Sequence, residues 1–228
     1  MTIAPPKVSA IIKLGGSLLD LPDLPARLGN FLADFSRVRP VLVCGGGPAV
    51  DLIRRWDQAF RIGEEASHWI ALRSLTITAL VLERIVPCLR YVETPAAFPA
   101  VWESGQIPVC DAYRFIVDVD ELSDDPLPRR WRVTSDSVAA RMATTLGASE
   151  VVLLKSITLP EGTTVEEAAR QGFVDAHFPV AAAAGIRVIV VNLREKEPRE
   201  GLLISGTGAP PTHSSRSIST TAEMEHDS

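Results

Sequence analysis

Cysteine is scarce and scattered along this chain. Cys44, Cys88 and Cys110 form no C-x-x-C pair, so neither a disulfide framework nor a zinc site is favoured. A reducing cytoplasm is then the simplest home. Positive charge is also short: 23 Lys and Arg stand against 28 Asp and Glu, for a formal net charge of −5. Such an acidic average argues against nonspecific nucleic-acid binding, and any positive potential has to be local. A membrane-spanning run is missing, because Arg73, Glu83 and Arg84 interrupt the longest apolar segment, residues 70–86. Residues 1–7 lack the apolar stretch of a secretion signal. These absences point to a cytoplasmic globular protein with neither nucleic acid nor membrane as partner.

What is present is an alternation of strand and helix. With 228 residues and 46% hydrophobic content, the chain can bury one compact core. Short β-branched runs at 8–14, 41–44, 89–92, 107–110, 150–154 and 187–191 read as strands, and 114–119 as a further short strand. Periodic apolar positions predict helices at 24–35, 48–56, 64–86, 96–103, 135–146, 165–171 and 176–184. The 64–86 helix is apolar on more than one side, which calls for cover beyond one sheet face and predicts a homodimer or higher homo-oligomer. Residues 121–130, with three acids and two prolines, read as an exposed loop. Residues 1–208 are expected to form one domain. The Ser- and Thr-rich stretch 209–228 reads as a disordered tail. Alternating elements predict an α/β fold, a mostly parallel central sheet between two helical layers.

Two lysines stand where apolar strands run out. Lys13 is followed by Leu14-Gly15-Gly16-Ser17, and Lys155 by Ser156. Open α/β sheets bind ligands beyond the carboxyl ends of their strands, and paired glycines let backbone N–H groups approach phosphate oxygens. Either lysine alone also fits a plain turn with a solvated side chain. Gly45-Gly46-Gly47 precedes a helix that opens with Pro48, and a helix N-terminus attracts anions. Neither the Walker A order nor the G-x-G-x-x-G fingerprint is met, since position 50 is Val50. Asp136, in the first turn of its predicted helix, fits a carboxylate favoured by the helix dipole or one that holds the two lysines.

In combination these pieces resemble the amino acid kinase superfamily, the aspartate, glutamate and uridylate kinase group. The carriers are K-L-G-G-S at 13–17, G-G-G-P at 45–48, S-D-S-V-A-A at 135–140, V-V-L-L-K-S at 151–156 and G-T at 206–207, in that order and spacing. The resemblance implies an αβα sandwich that binds ATP with Mg2+ and has no protein-only metal site. Lys13 and Lys155 would then neutralise the transferring phosphoryl group and Asp136 would orient them. Gly15, Gly16, Ser17, Ser156, Gly206 and Thr207 would hold nucleotide phosphates. Gly45, Gly46 and Gly47 would line the acceptor side, with Gly15, Gly16, Gly45 and Gly46 supplying backbone donors.

Two family segments are absent. Lys155 is followed by Ser156-Ile157-Thr158-Leu159-Pro160 where many members carry T-D-x-x-G, and the G-x-R-x-T segment of acetylglutamate kinases is replaced by residues 62–69. The first absence leaves open a non-catalytic nucleotide- or oxyanion-binding member of the fold. The second makes an amino-acid acceptor less favoured. A uridylate-type acceptor stays open. In length and in its His68-Trp69 segment the chain is similar to the archaeal-type branch of [5-(aminomethyl)furan-3-yl]methyl phosphate kinases, which implies a phosphate monoester acceptor. Arg54, Arg55, His68 and Arg73 would supply cations for it, although Arg55 also fits a surface pair with Asp51 one helical turn away and His68 a core histidine.

Overall fold

The computed structural model describes residues 7–35, 38–182 and 185–204. Seven strands form one sheet: β1 (Ala10–Leu14), β2 (Pro40–Cys44), β3 (Leu89–Val92), β4 (Ile107–Cys110), β5 (Glu150–Lys155), β6 (Arg187–Asn192) and β7 (Glu200–Leu203). Their order is β3-β4-β2-β1-β5-β6-β7. Every pairing is parallel except β6 with β7. The helices are α1 (Leu24–Ala33), α2 (Pro48–Phe60), α3 (Glu64–Ile85), α4 (Phe98–Glu103), α5 (Ala112–Asp118), α6 (Ser135–Leu146), α7 (Val165–Arg170) and α8 (Phe178–Ala181).

β1, β2 and most of β5 are continuous buried runs, as parallel strands covered on both faces require. Alternate residues feed two cores. Ile11, Val43, Val151 and Leu153 pack with Phe98 of α4, Phe115 of α5, and Val138 and Met142 of α6. Ile12, Leu14, Val152 and Leu154 pack with Leu24 and Leu28 of α1 and with Ala79 and Leu82 of α3. The result is the three-layer αβα sandwich expected from the alternation. β1 lies between β2 and β5, so the chain reverses its direction of travel across the sheet there and opens a crevice at the carboxyl ends of the three strands.

Three local expectations are corrected. Residues 114–118 form part of helix α5, with Val119 at its C-cap, and not a strand. The Asp111 carboxylate accepts a hydrogen bond from the Arg114 amide at 3.1 Å and caps that helix, and Arg114 pairs with Asp118 one turn on. A cap and an i,i+4 pair outweigh the β-branched run Ile116-Val117. The 176–184 helix shrinks to Phe178–Ala181, because Asp175 captures the His177 amide at 3.0 Å in a turn. β7 adds an antiparallel edge that the sequence pattern did not announce. Within 121–130, most residues are exposed, but Leu127 is buried and its amide donates to buried Asp120 at 2.8 Å.

α3 buries Leu72, Leu75, Ala79 and Leu82 inward, while Ile77 is 60% exposed and Ile70, Leu80, Val81 and Ile85 are also exposed. One sheet face therefore does not cover its apolar surface. Among the described residues, no helix is long and apolar enough to cross a membrane. Gly206, Thr207 and the 209–228 tail lie outside the described residues.

Candidate active site

Strand parity brings the two lysines together. Lys13 pairs in register with Leu153, and Lys155 lies two residues further along β5. Residues two apart on a strand share a face, so both ammoniums reach the face covered by α6. Asp136 sits in the first turn of α6, where the helix dipole favours a carboxylate. Its Oδ1 lies 2.8 Å from Lys13 Nζ and its Oδ2 2.5 Å from Lys155 Nζ. Lys13 and Asp136 are buried, and Lys155 is largely so.

Burial alone would raise the Asp136 carboxyl. The two ammoniums outweigh it and hold the group at about 2, below its usual 3.8. Burial, followed by the charge of Lys13, pushes the Lys155 ammonium below its usual range, with Asp136 opposing. Charges that have given up water this fully need compensation from each other. With one carboxylate between two ammoniums, the cluster keeps one net positive charge for a ligand.

The start of α6 is itself fixed from α8's side of the fold. Asp175 Oδ2 accepts from the Thr134 amide at 3.0 Å, the Thr134 hydroxyl at 2.8 Å and the Ser137 amide at 3.0 Å. Its Oδ1 accepts from the Ser137 hydroxyl at 2.6 Å. Asp175 thus sets the position from which Asp136 reaches the lysines.

The glycine loops after β1 and β2 meet edge to edge. A Cβ on Gly16 would lie 2.3 Å from the Gly47 nitrogen, and one on Gly47 2.7 Å from the Gly16 oxygen. Gly47 also holds a φ of 50°, so a side chain there is excluded twice. The Gly15 amide donates to the Leu154 carbonyl and the Gly45 amide to the Leu14 carbonyl, each at 2.8 Å. These two amides therefore knit the sheet end together instead of serving a ligand as expected. Among the described residues, the amides of Gly16, Gly46 and Gly47 make no such backbone bond. The Ser17 and Ser156 hydroxyls, one from each lysine's loop, stand 3.0 Å apart.

Beside these loops opens a cavity of about 480 Å³. Gly16, Ser17, Gly45, Gly46 and Gly47 line it together with Arg54, His68, Trp131 and Arg194. His68 Nδ1 lies 3.2 Å from the Arg130 carbonyl, and burial pushes its pKa down. A carbonyl accepts, so Nδ1 carries the proton and the neutral ring leaves Nε2 as an acceptor. The Trp131 indole N–H donates to Asp57 at 2.9 Å, and the Arg54 guanidinium lies over its ring at 5.3 Å. That hydrogen bond, with one from the Gly63 amide, holds the Asp57 carboxyl below its usual range.

A buried Lys-Asp-Lys bridge over glycine loops at a sheet's carboxyl edge suits the binding of phosphate oxygens. The model of the amino acid kinase family matches residues 9–158, more than half of the sequence. The chain belongs to the amino acid kinase family. One relative is the [5-(aminomethyl)furan-3-yl]methyl phosphate kinase of Methanocaldococcus jannaschii, 26% identical over 148 residues. The match covers 64% of this chain and 65% of the relative, so it spans just under two thirds of that protein's length. In fold, this amino acid kinase family member is similar to the UMP kinase of Ureaplasma parvum, with a TM-score of 0.60 and 15% identity over 87% of this chain and 99% of that one. It is also similar to the UMP kinase of Bacillus anthracis, with a TM-score of 0.54 and 16% identity over 84% and 89%.

Of the residues singled out in the sequence, the fold gathers Lys13, Lys155 and Asp136 in one cluster. It sets Gly15, Gly16, Gly45, Gly46 and Gly47 in one double loop, and Ser17 against Ser156. Arg54 and His68 line the cavity, and Arg54 is also paired with Asp51 at 2.9 Å. Arg73 is not among the lining residues: its guanidinium donates to the Tyr113 hydroxyl at 2.7 Å and stacks on that ring at 4.2 Å. Sequence reasoning missed Trp131, Arg194 and Asp175. The run P-R-R-W-R at 128–132, an aromatic among cations, was a usable signal for Trp131. Asp175 and Arg194 left none, because each acts through partners distant in sequence.

Proposed function

We propose that this chain is an ATP-dependent small-molecule kinase that transfers the γ-phosphoryl group to an anionic acceptor, a phosphate monoester of the aminomethylfuran phosphate kind. The observation that carries the reading is the single Asp136 carboxylate held between the buried ammoniums of Lys13 and Lys155. Phosphoryl transfer asks for positioned charge more than for covalent chemistry by the protein. Two ammoniums fixed before substrate arrives need no reorganisation during the reaction.

The residues present fit a polyphosphate. The loops approach so closely that a Cβ is excluded, and the donors are backbone amides, hydroxyls and ammoniums. Ser17, Ser156 and the Gly16 amide would hold the nucleotide phosphates, with Lys13 and Lys155 on the transferring group. Magnesium entering with ATP offsets charge on its phosphates. Among the described residues, no group of three or more His, Cys, Asp or Glu could hold a metal. A phosphate ester oxygen is already anionic, so the bond from phosphorus to ADP breaks as the bond to the acceptor forms, with no general base. Arg54 and the Trp131 ring suit an anionic acceptor that carries a flat ring, in line with the name of the archaeal relative, whereas neutral His68 offers such an anion no charge. Three free thiols, two of them buried, are in keeping with a reducing cytoplasm.

The loop after Lys155, which lacks the T-D-x-x-G aspartate, favours one second reading: a non-catalytic member that binds nucleotide or oxyanions. Measuring ADP release with a panel of small phosphate esters, and with aspartate, glutamate and acetylglutamate, separates the two. Turnover with esters supports the kinase. Tight ATP binding with no turnover supports the alternative.

A further inference from the structure

The cluster of Lys13, Lys155 and Asp136 supplies one net positive charge. A terminal phosphoryl group and a phosphate ester each bring about 1.5 to 2 negative charges at neutral pH. His68 is held neutral by burial, and Arg54 is shared between Asp51 and the Trp131 ring. The transfer path therefore calls for another cation close to the glycine loops, and Arg194 is placed there.

Arg194 follows β6 and lines the same cavity as Gly16, Ser17 and Asp20. Its Nη2 donates to the Ser17 carbonyl at 2.7 Å and to Asp20 Oδ1 at 2.5 Å. The segment that carries it is fastened on two sides. The Leu193 amide donates to the carbonyl of Lys155 itself at 2.9 Å. Arg27 Nη1 donates to three successive carbonyls, those of Leu193 and Arg194 at 3.3 Å and of Glu195 at 2.7 Å. Asp23 holds Arg27 Nε at 2.7 Å. An arginine on a backbone so fixed presents its planar fork at low entropic cost. Asp20 is exposed, and a phosphate oxygen can displace it from a guanidinium that prefers bidentate oxyanions.

We propose that Arg194 is a third phosphate-contacting cation of the transfer path, binding the transferring phosphoryl group beside Gly16-Ser17. The inference rests on the kinase reading above. Arg194 then binds more tightly as charge develops in the transition state, and the Asp20 pair keeps the guanidinium in place between turnovers.

The test compares the full-length chain with Arg194→Ala and Arg194→Lys. With MgATP and a phosphate ester, Arg194→Ala should lower kcat/KM by about a hundredfold with its thermal midpoint unchanged. Guanidinium ion at millimolar concentration should restore at least tenfold of that loss, and Arg194→Lys should fall in between. Activity of Arg194→Ala within threefold of the parent overturns the proposal. So does a loss that guanidinium does not restore, since that marks a merely structural hold on Ser17. If the parent itself transfers to no acceptor, the kinase reading fails separately. MgATP affinity by calorimetry then decides on Arg194: tenfold weaker binding in Arg194→Ala sustains the contact, and equal binding overturns it.

Discussion

Replacing Asp136 with Asn leaves two buried ammoniums without the anion between them. Breaking a buried ion pair costs about 3–5 kcal/mol when the charge stays behind. Part of that cost can be avoided by releasing a proton. Two like charges forced together away from water disfavour each other's charged form. Lys155 is the group to yield, since burial and Lys13 already hold it below its usual range. Its folded pKa then lies further below its unfolded value, and the unfolded chain binds more protons in that window. Stability of Asp136→Asn should therefore rise with pH up to about pH 10, the unfolded lysine value. The parent behaves differently at the acid end. Its Asp136 is depressed from 3.8 to about 2, a contribution of about 2 kcal/mol that is present above pH 4 and lost as pH falls through 2. Denaturant melts of both proteins at several pH values read these slopes, and ADP release should fall by about a hundredfold or more in the variant. An Asp136→Asn protein as stable as the parent at pH 6, with a flat profile to pH 9, would refute the electrostatic reasoning.

Lys13→Ala and Lys155→Ala should each cut phosphoryl transfer by about a hundredfold or more with the fold retained by circular dichroism; near-normal turnover in either rejects the assignment. Trp131→Ala should raise KM for a ring-bearing phosphate ester about tenfold while KM for ATP stays put, and Trp131→Phe should keep most of the affinity; an equal rise in both constants removes Trp131 from the acceptor side. Light scattering at micromolar concentration should give a homodimer that Ile77→Asp on the exposed face of α3 converts to monomer; a monomeric parent rejects that use of the face.

Strand and helix periodicity made the sandwich legible, because each buried strand is a short apolar run and most helices keep one stripe. It misled at 114–119, where the Asp111 cap decides the conformation of a β-branched stretch. It was silent on β7, which among the described residues is an edge strand paired with β6 alone and has little apolar pattern. The lysine and glycine components of the site were legible because each sits at a fixed offset from a strand end. That Asp136 joins the two lysines follows from pairing register, which one sequence does not display. Arg73 was drawn in by its nearness in sequence to His68, yet five residues of helix turn it to another side, onto Tyr113. Arg194, Asp175 and Trp131 acquire their roles only through contacts across 38 to 177 positions.

The central claim is tested most directly by 31P NMR of the parent protein with MgATP and [5-(aminomethyl)furan-3-yl]methyl phosphate. The ester's monophosphate signal should be replaced by the coupled pair of a diphosphate as ADP accumulates in equal amount, and Lys13→Ala and Lys155→Ala should each slow both changes by about a hundredfold or more. An unchanged ester signal in the presence of bound ATP, or diphosphate formation at a near-parental rate after loss of either lysine, would contradict that claim.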